Sequence, residues 1–283
     1  NARKYKSVIL QGSKLHELYP KSAVLHNILG MSYFRLQKVE EAKASFKKAI
    51  NFQPENPISY FNLGTLFENI GNLKASINNF RHAIQIEPDF LEAYNNMGLA
   101  NLEAGELNKA IDIFKKAISI KSDYIDAHIN IGIALHGKAE VREAINSFKK
   151  AVQINPDDPV AYWELYGTSQ SIGEAQNWIE KCLKADSSFK KAVLTSAALK
   201  AYNGCKKDLE RLKSEDRENS YIRSFDWVFG LPKLPRLFFD RWAFFDFAIE
   251  RSAKDRPFYE FGVFRGESFK YLIRTLKIGY GFD

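Results

Sequence analysis

Phe46-Lys47-Lys48-Ala49, Phe80-Arg81-His82-Ala83, Phe114-Lys115-Lys116-Ala117 and Phe148-Lys149-Lys150-Ala151 recur at intervals of 34 residues. Gly30, Gly64, Gly98 and Gly132 keep the same step. Three anchor types held in register over four blocks (23–56, 57–90, 91–124 and 125–158) place residues 23–158 in one repeat array. A fixed period of this length implies stacked units, each burying its apolar face on its neighbour.

Within a block the apolar residues recur at helical spacing. Block two shows the design: Tyr60, Leu63, Leu66 and Phe67, then Gly71, then Leu73, Ile77, Phe80, Ile84 and Ile86, closed by Pro88. Proline cannot continue a helix, so each block reads as helix, glycine turn, helix, stop. The eighth-position glycine and 27th-position alanine are expected where the two helices of a unit cross. Phe at the 24th position is expected to fill the space between successive units. The pattern resembles the tetratricopeptide repeat, whose fold is a mainly α superhelix (an αα solenoid) and whose function is protein binding.

Outward from the array the regularity decays. Residues 1–22, with Pro20 34 residues before Pro54, read as the second helix and exit turn of a repeat truncated at its N-terminus. From Pro159 onward Tyr166 replaces the glycine, three residues are missing near Gly173, and Cys182 stands in the alanine place. Residues 159–219 are therefore expected to be degenerate, capping repeats, with a last helix pair over 190–214 turning at Gly204.

The 283-residue chain is 45% hydrophobic with a net charge of +7. No apolar run approaches the ~18 residues a membrane span needs. Cys182 and Cys205 cannot form a disulfide framework or a metal site, which points to a reducing, cytoplasmic setting. The basic balance comes in part from the lysine pairs of the second helices, read as a solvated outer face. No aromatic platform is interleaved with them, so nucleic acid is not the expected partner. The five histidines are dispersed, and no nucleophile–base constellation is present, so no catalytic residue is assigned.

Two stretches carry binding chemistry. The first is the sixth position of three successive blocks, Asn62, Asn96 and Asn130. An amide there offers a donor and an acceptor to the backbone of an extended peptide, whatever its sequence. Phe61, Thr65, Asn69, Asn95 and Leu99 are expected beside them in the groove, with Glu103, Ile129 and Ile133. The row resembles the asparagine ladder in the repeats of O-linked N-acetylglucosamine transferase, although Ile28 and Glu164 depart from it. No lysine or arginine stands among these residues, which argues against a clamp for acidic tails.

The second stretch is C-terminal. Residues 220–283 hold 18 of the chain's 39 aromatics. Residues 220–255 read as an aromatic helical adaptor, whose segment 221–247 could support self-association. Residues 256–283 read as strand, glycine turn, helix, strand, the first βαβ of an α/β Rossmann-like domain. Its turn is Glu260-Phe261-Gly262-Val263-Phe264-Arg265-Gly266-Glu267-Ser268, and Asp283 ends the second strand. This segment resembles the start of a class I S-adenosylmethionine-dependent methyltransferase of the macrocin O-methyltransferase type. The resemblance implies that Glu260, Gly262 and Gly266 hold the methionine end of S-adenosylmethionine and Asp283 its ribose. The family's metal-binding and catalytic residues would lie further on, so no cofactor is expected in the chain as it stands.

The first function expected is thus a scaffold that binds an extended peptide or a partner protein. The second is the recruiting arm of a methyltransferase.

Overall fold

The computed structural model describes residues 2–215, which form thirteen α-helices and, among the described residues, no strand. The expected aromatic adaptor (220–255), the self-association segment (221–247) and the βαβ unit with Glu260, Gly262, Gly266 and Asp283 lie outside the described residues. Two compact units divide at Ala134 and Leu135, within α8 (Ile125–Gly137).

The first unit begins with α1 (Ala2–Leu18). Three helical hairpins follow: α2 (Ala23–Arg35) with α3 (Val39–Phe52), α4 (Pro57–Asn69) with α5 (Leu73–Ile86), and α6 (Leu91–Glu103) with α7 (Leu107–Ile120). Local chemistry sets the boundaries. Ser22 Oγ accepts from Leu25 N at 3.2 Å, Asn56 Oδ1 from Ile58 N at 3.0 Å, and Asn72 Oδ1 from Ala75 N at 3.1 Å. Each satisfies a backbone donor that the first turn leaves orphaned. Pro57 opens α4, where its missing N–H has no intrahelical partner to lose.

The fifteenth position of a block, between its two helices, is left-handed. Gly71 and Gly105 adopt φ of 74° and 75°, where glycine carries no steric penalty. In block one Gln37 holds that conformation at φ 60°.

The core forms inside each hairpin and between hairpins. Phe46, Phe80 and Phe114 are all fully buried, as are Ala42, Ala49, Ala83, Ala110 and Ala117. The phenylalanine packs first within its own repeat: a Cβ placed on Gly30 would lie 2.5 Å from the Phe46 ring, and one on Gly64 2.7 Å from Phe80. The eighth-position glycine is thus the seat of the ring. Phe46 also clusters with Leu63 and Leu66 of the next hairpin. One side chain therefore ties a hairpin to itself and to its neighbour, which refines the expectation that it only fills the gap between units. Lys47, Lys48, Lys115 and Lys116 are exposed on the outer stripe.

The second unit holds α9 (Val141–Ile154), α10 (Pro159–Tyr166), α11 (Ile172–Ala185), α12 (Lys190–Tyr202) and α13 (Lys207–Glu215). Ala139 occupies the left-handed fifteenth position at φ 63°. α10 has only 8 residues, and Tyr166 at its end stands where the other blocks carry glycine. Cys182 is fully buried in the alanine place, its Sγ donating to Pro159 O at 3.2 Å. Burial, then Asp186 and Asp158, push its thiol up to about 11. Gly204, at φ 94°, makes the turn between α12 and α13.

Candidate functional site, the first-helix face of unit one

The first helices α2, α4 and α6, with the start of α8, carry the residues that the sequence singled out. They are covered on more sides than the second helices. α2 buries residues around its circumference, including His26 and Asn27, whereas α3 buries one stripe of Ala42, Ser45, Phe46 and Ala49.

The three ladder asparagines are half-buried but differ in surroundings. Asn62 lines a cavity of about 550 Å³ bounded by α1, α2 and α4. Asn96 and Asn130 are linked through Asn95: Asn130 Nδ2 donates to Asn95 Oδ1 at 2.9 Å, and Asn95 Nδ2 to Asn96 Oδ1 at 3.4 Å. The rungs at blocks three and four are thus joined to each other through Asn95.

The groove neighbours divide. Leu99 and Ile133 are half-buried, and Asn69 and Glu103 exposed. Ile129 was expected in the groove, but at 5% exposed it belongs to the packed interior. Phe61 packs its ring on Phe80 and Phe90, with centroids 5.6 and 5.1 Å away, so its aromatic surface is largely committed within the unit. Thr65 donates its hydroxyl to Phe61 O one turn back, at 3.0 Å. These corrections share a cause. A helix in a stacked array is flanked by two neighbours, and the fifth position turns toward the packing more than a single-helix projection suggests.

The sequence reading left cations out of this face, and the structure places two there. Lys4 from α1 and Arg35 from α2 line the cavity with Asn62. Arg35 stands at the thirteenth position, equivalent to Asn69 and Glu103, so carrying that row back to block one was the signal available. The cavity also exposes aliphatic surface: Val24, Ile28 and Ile58 are 61%, 47% and 52% exposed. Asn27, only 8% exposed, donates from Nδ2 to Ser59 Oγ at 2.8 Å, while its Oδ1 is buried with no hydrogen-bond partner.

Further along, Glu68 is half-buried. Desolvation, and after it the charge of Glu103, raise its carboxyl above the ordinary range. Tyr124 is pushed up to about 12, first by burial, then by Asp126 and Glu92. Among the described residues, no group of three or more His, Cys, Asp or Glu side chains could hold a metal ion, and no helix is long and apolar enough to cross a membrane.

Comparison with known proteins agrees with the repeat geometry. A family model described as TPR repeat matches residues 30–71 and 69–105, and one described as tetratricopeptide repeat matches 101–168. The crystal structure of MamA is 30% identical, with a TM-score of 0.51 over 54% of this chain and 89% of that one. PilW, described as a widely conserved type IV pilus biogenesis factor, is 20% identical, with a TM-score of 0.61 over 71% of this chain and 97% of its own. YrrB, described as a TPR protein with an unusual peptide-binding site, is 15% identical with a TM-score of 0.50 over 64% and 95%. At such identities the last two show a shared fold. No curated protein sequence matches the chain. The 34-residue hairpins, the glycine–phenylalanine seat and these matches together place the chain in the tetratricopeptide repeat family, with its repeats over residues 30–168.

Proposed function

We propose that the chain is a protein-interaction scaffold that holds an extended peptide, or an extended segment of a partner protein, along the first-helix face of unit one. The carrying observation is the cavity beside Asn62. There, ordered helices leave Val24, Ile28 and Ile58 uncovered next to amide and cationic groups. Apolar surface ringed by polar groups on a rigid scaffold is the usual form of a peptide site. Asn62, Asn96 and Asn130 supply amide groups for a ligand backbone, the last two as the linked pair described above. The free cysteines Cys182 and Cys205 suit a reducing cytoplasm. Changing Asn62, Asn96 and Asn130 together to Ala should abolish recovery of a bound partner in pull-down. Intact recovery from a folded triple variant would refute the amide role.

A second reading rests on the sequence from Glu260 to Ser268 and on Asp283. In it, the repeats recruit an acceptor for S-adenosylmethionine-dependent O-methyl transfer, with Glu260, Gly262, Gly266 and Asp283 holding the cofactor. Titration calorimetry with S-adenosylmethionine on a chain extended beyond Asp283 tests it. No heat, or heat unchanged by Asp283→Ala, removes it. Self-association through segment 221–247 would appear as a dimer in sedimentation and is rejected by a monomer.

A further inference from the structure

The cavity has a composition as well as a volume. Its floor is aliphatic, with Val24, Ile28 and Ile58 largely uncovered. Its charged lining residues are Lys4 and Arg35, and no carboxylate is among them. Its wall includes Asn27, nine-tenths buried, with an amide oxygen that lacks a donor.

Along the same face the sign of the charge changes. The thirteenth position of successive repeats reads Arg35, Asn69 and Glu103, all three exposed. Glu68, one residue before Asn69, is half-buried close enough to Glu103 for their charges to oppose each other. One row therefore runs from positive through neutral to negative in two repeat steps.

We propose that this face binds a charge-segregated linear peptide, with an acidic, aliphatic end in the cavity at Lys4 and Arg35 and a basic end over Glu68 and Glu103. This rests on the peptide-groove reading and gives that ligand a composition and a direction. Val24, Ile28 and Ile58 take its branched side chains. A peptide laid in reverse would set like charges against each other at both ends, so the gradient selects orientation as well as sequence.

The test is selection of a displayed random-peptide library on the full chain, followed by fluorescence anisotropy of the selected peptides. Selected sequences should carry Asp or Glu beside Val, Ile or Leu toward one end and Lys or Arg toward the other. Lys4→Glu with Arg35→Glu should weaken them about tenfold, from two exposed ion pairs lost. Reselection on that variant should replace the acidic residues at that end alone. Glu103→Lys should act on the opposite end only. All three positions are exposed, and circular dichroism checks that the variants fold. Peptides that lose affinity when Asn62, Asn96 and Asn130 become Ala, yet keep it in both charge-reversed variants, would leave the groove standing and overturn the polarity. If no peptide is enriched, or the triple variant binds at full strength, the groove reading itself falls and takes this one with it.

Discussion

A single methyl group at Gly64 tests the packing that defines the array. The Cβ of Gly64→Ala would lie 2.7 Å from Phe80 Cε1 and 2.8 Å from Cδ1, against about 3.5–4.0 Å for a comfortable carbon contact. The ring cannot easily retreat. Phe80 is fully buried, and Phe61, itself against Phe90, packs on it. Overpacking of this kind costs about 1–3 kcal/mol. Alanine in a helix interior returns about 1 kcal/mol relative to glycine, so the expected net loss is about 1 kcal/mol. For a protein of this size that is a fall of roughly 2–4 °C in melting temperature. Circular dichroism at the helical band reads the melt, and hydrogen exchange should show the loss concentrated in α4 and α5. Phe80→Leu makes the second arm: combined with Gly64→Ala, the pair should cost less than the sum of its parts, because the smaller side chain vacates the clash. Gly173 is the control, since a Cβ there would meet nothing within 4 Å, and Gly173→Ala should be neutral or slightly stabilising. A melting temperature that rises in Gly64→Ala, as helix propensity alone requires, would refute the glycine–phenylalanine seat.

Gln37→Gly and Ala139→Gly relieve left-handed backbone at φ 60° and 63°, and each should raise stability by about 1 kcal/mol in urea melts. His26 is 3% exposed, and burial is the main cause that lowers its pKa; His16 and Lys48 lower it further, while the Pro20 carbonyl acts the other way. The unfolded chain therefore takes up the proton first, near pH 6.5. His26 stability is fully present above that pH and is lost as pH falls toward the folded value; a melting temperature that drops over this window in the wild type, but less in His26→Phe, checks it. Ser22→Ala removes the α2 cap and should cost about 1 kcal/mol. Alkylation followed by mass spectrometry should label exposed Cys205 and spare Cys182, whose thiol is buried and pushed up to about 11.

The fold was legible because its signals were redundant. Glycine, phenylalanine and alanine in a shared period name both helices, their crossing and their stacking, and in block two Gly71 and Pro88 mark the turn and the end of the second helix. The left-handed turn in blocks one and four was not legible. Gln37 and Ala139 carry no local preference for positive φ, and only the flanking helices impose it there. The site was half legible for a related reason. Period assigns a residue to a position, but its neighbours decide what that position does. Asn96 and Asn130 hold the same block position as Asn62, yet Asn95 engages both, and its bond with Asn130 is an interaction between blocks that no single-block projection contains. Phe61, Asn95 and Ile129 share the fifth position, and their fates differ with what surrounds each: two aromatic rings, a second amide, or a closed core.

The same logic explains why Arg35 matters more than its solitary charge suggests. Positions that packing fixes must repeat, as Phe46, Phe80 and Phe114 do, because each hairpin meets the same neighbour. Positions that packing leaves free can drift, and the thirteenth has drifted through all three charge states in three repeats. A free row that varied at random would be an ordinary solvated surface. This one leads from a cationic cavity with an unpaired amide oxygen to a half-buried carboxylate held above its usual range by burial and a like charge. The Glu68 end holds a carboxylate whose charged form the folded chain alone does not favour. A ligand carboxylate would pair with Lys4 and Arg35 at one end, and a ligand cation at the other would lower the Glu68 pKa. Glu68 titrated by NMR with and without a selected peptide reads that shift directly. A carboxyl that stays raised in the complex would mean that the basic end of the ligand lies elsewhere.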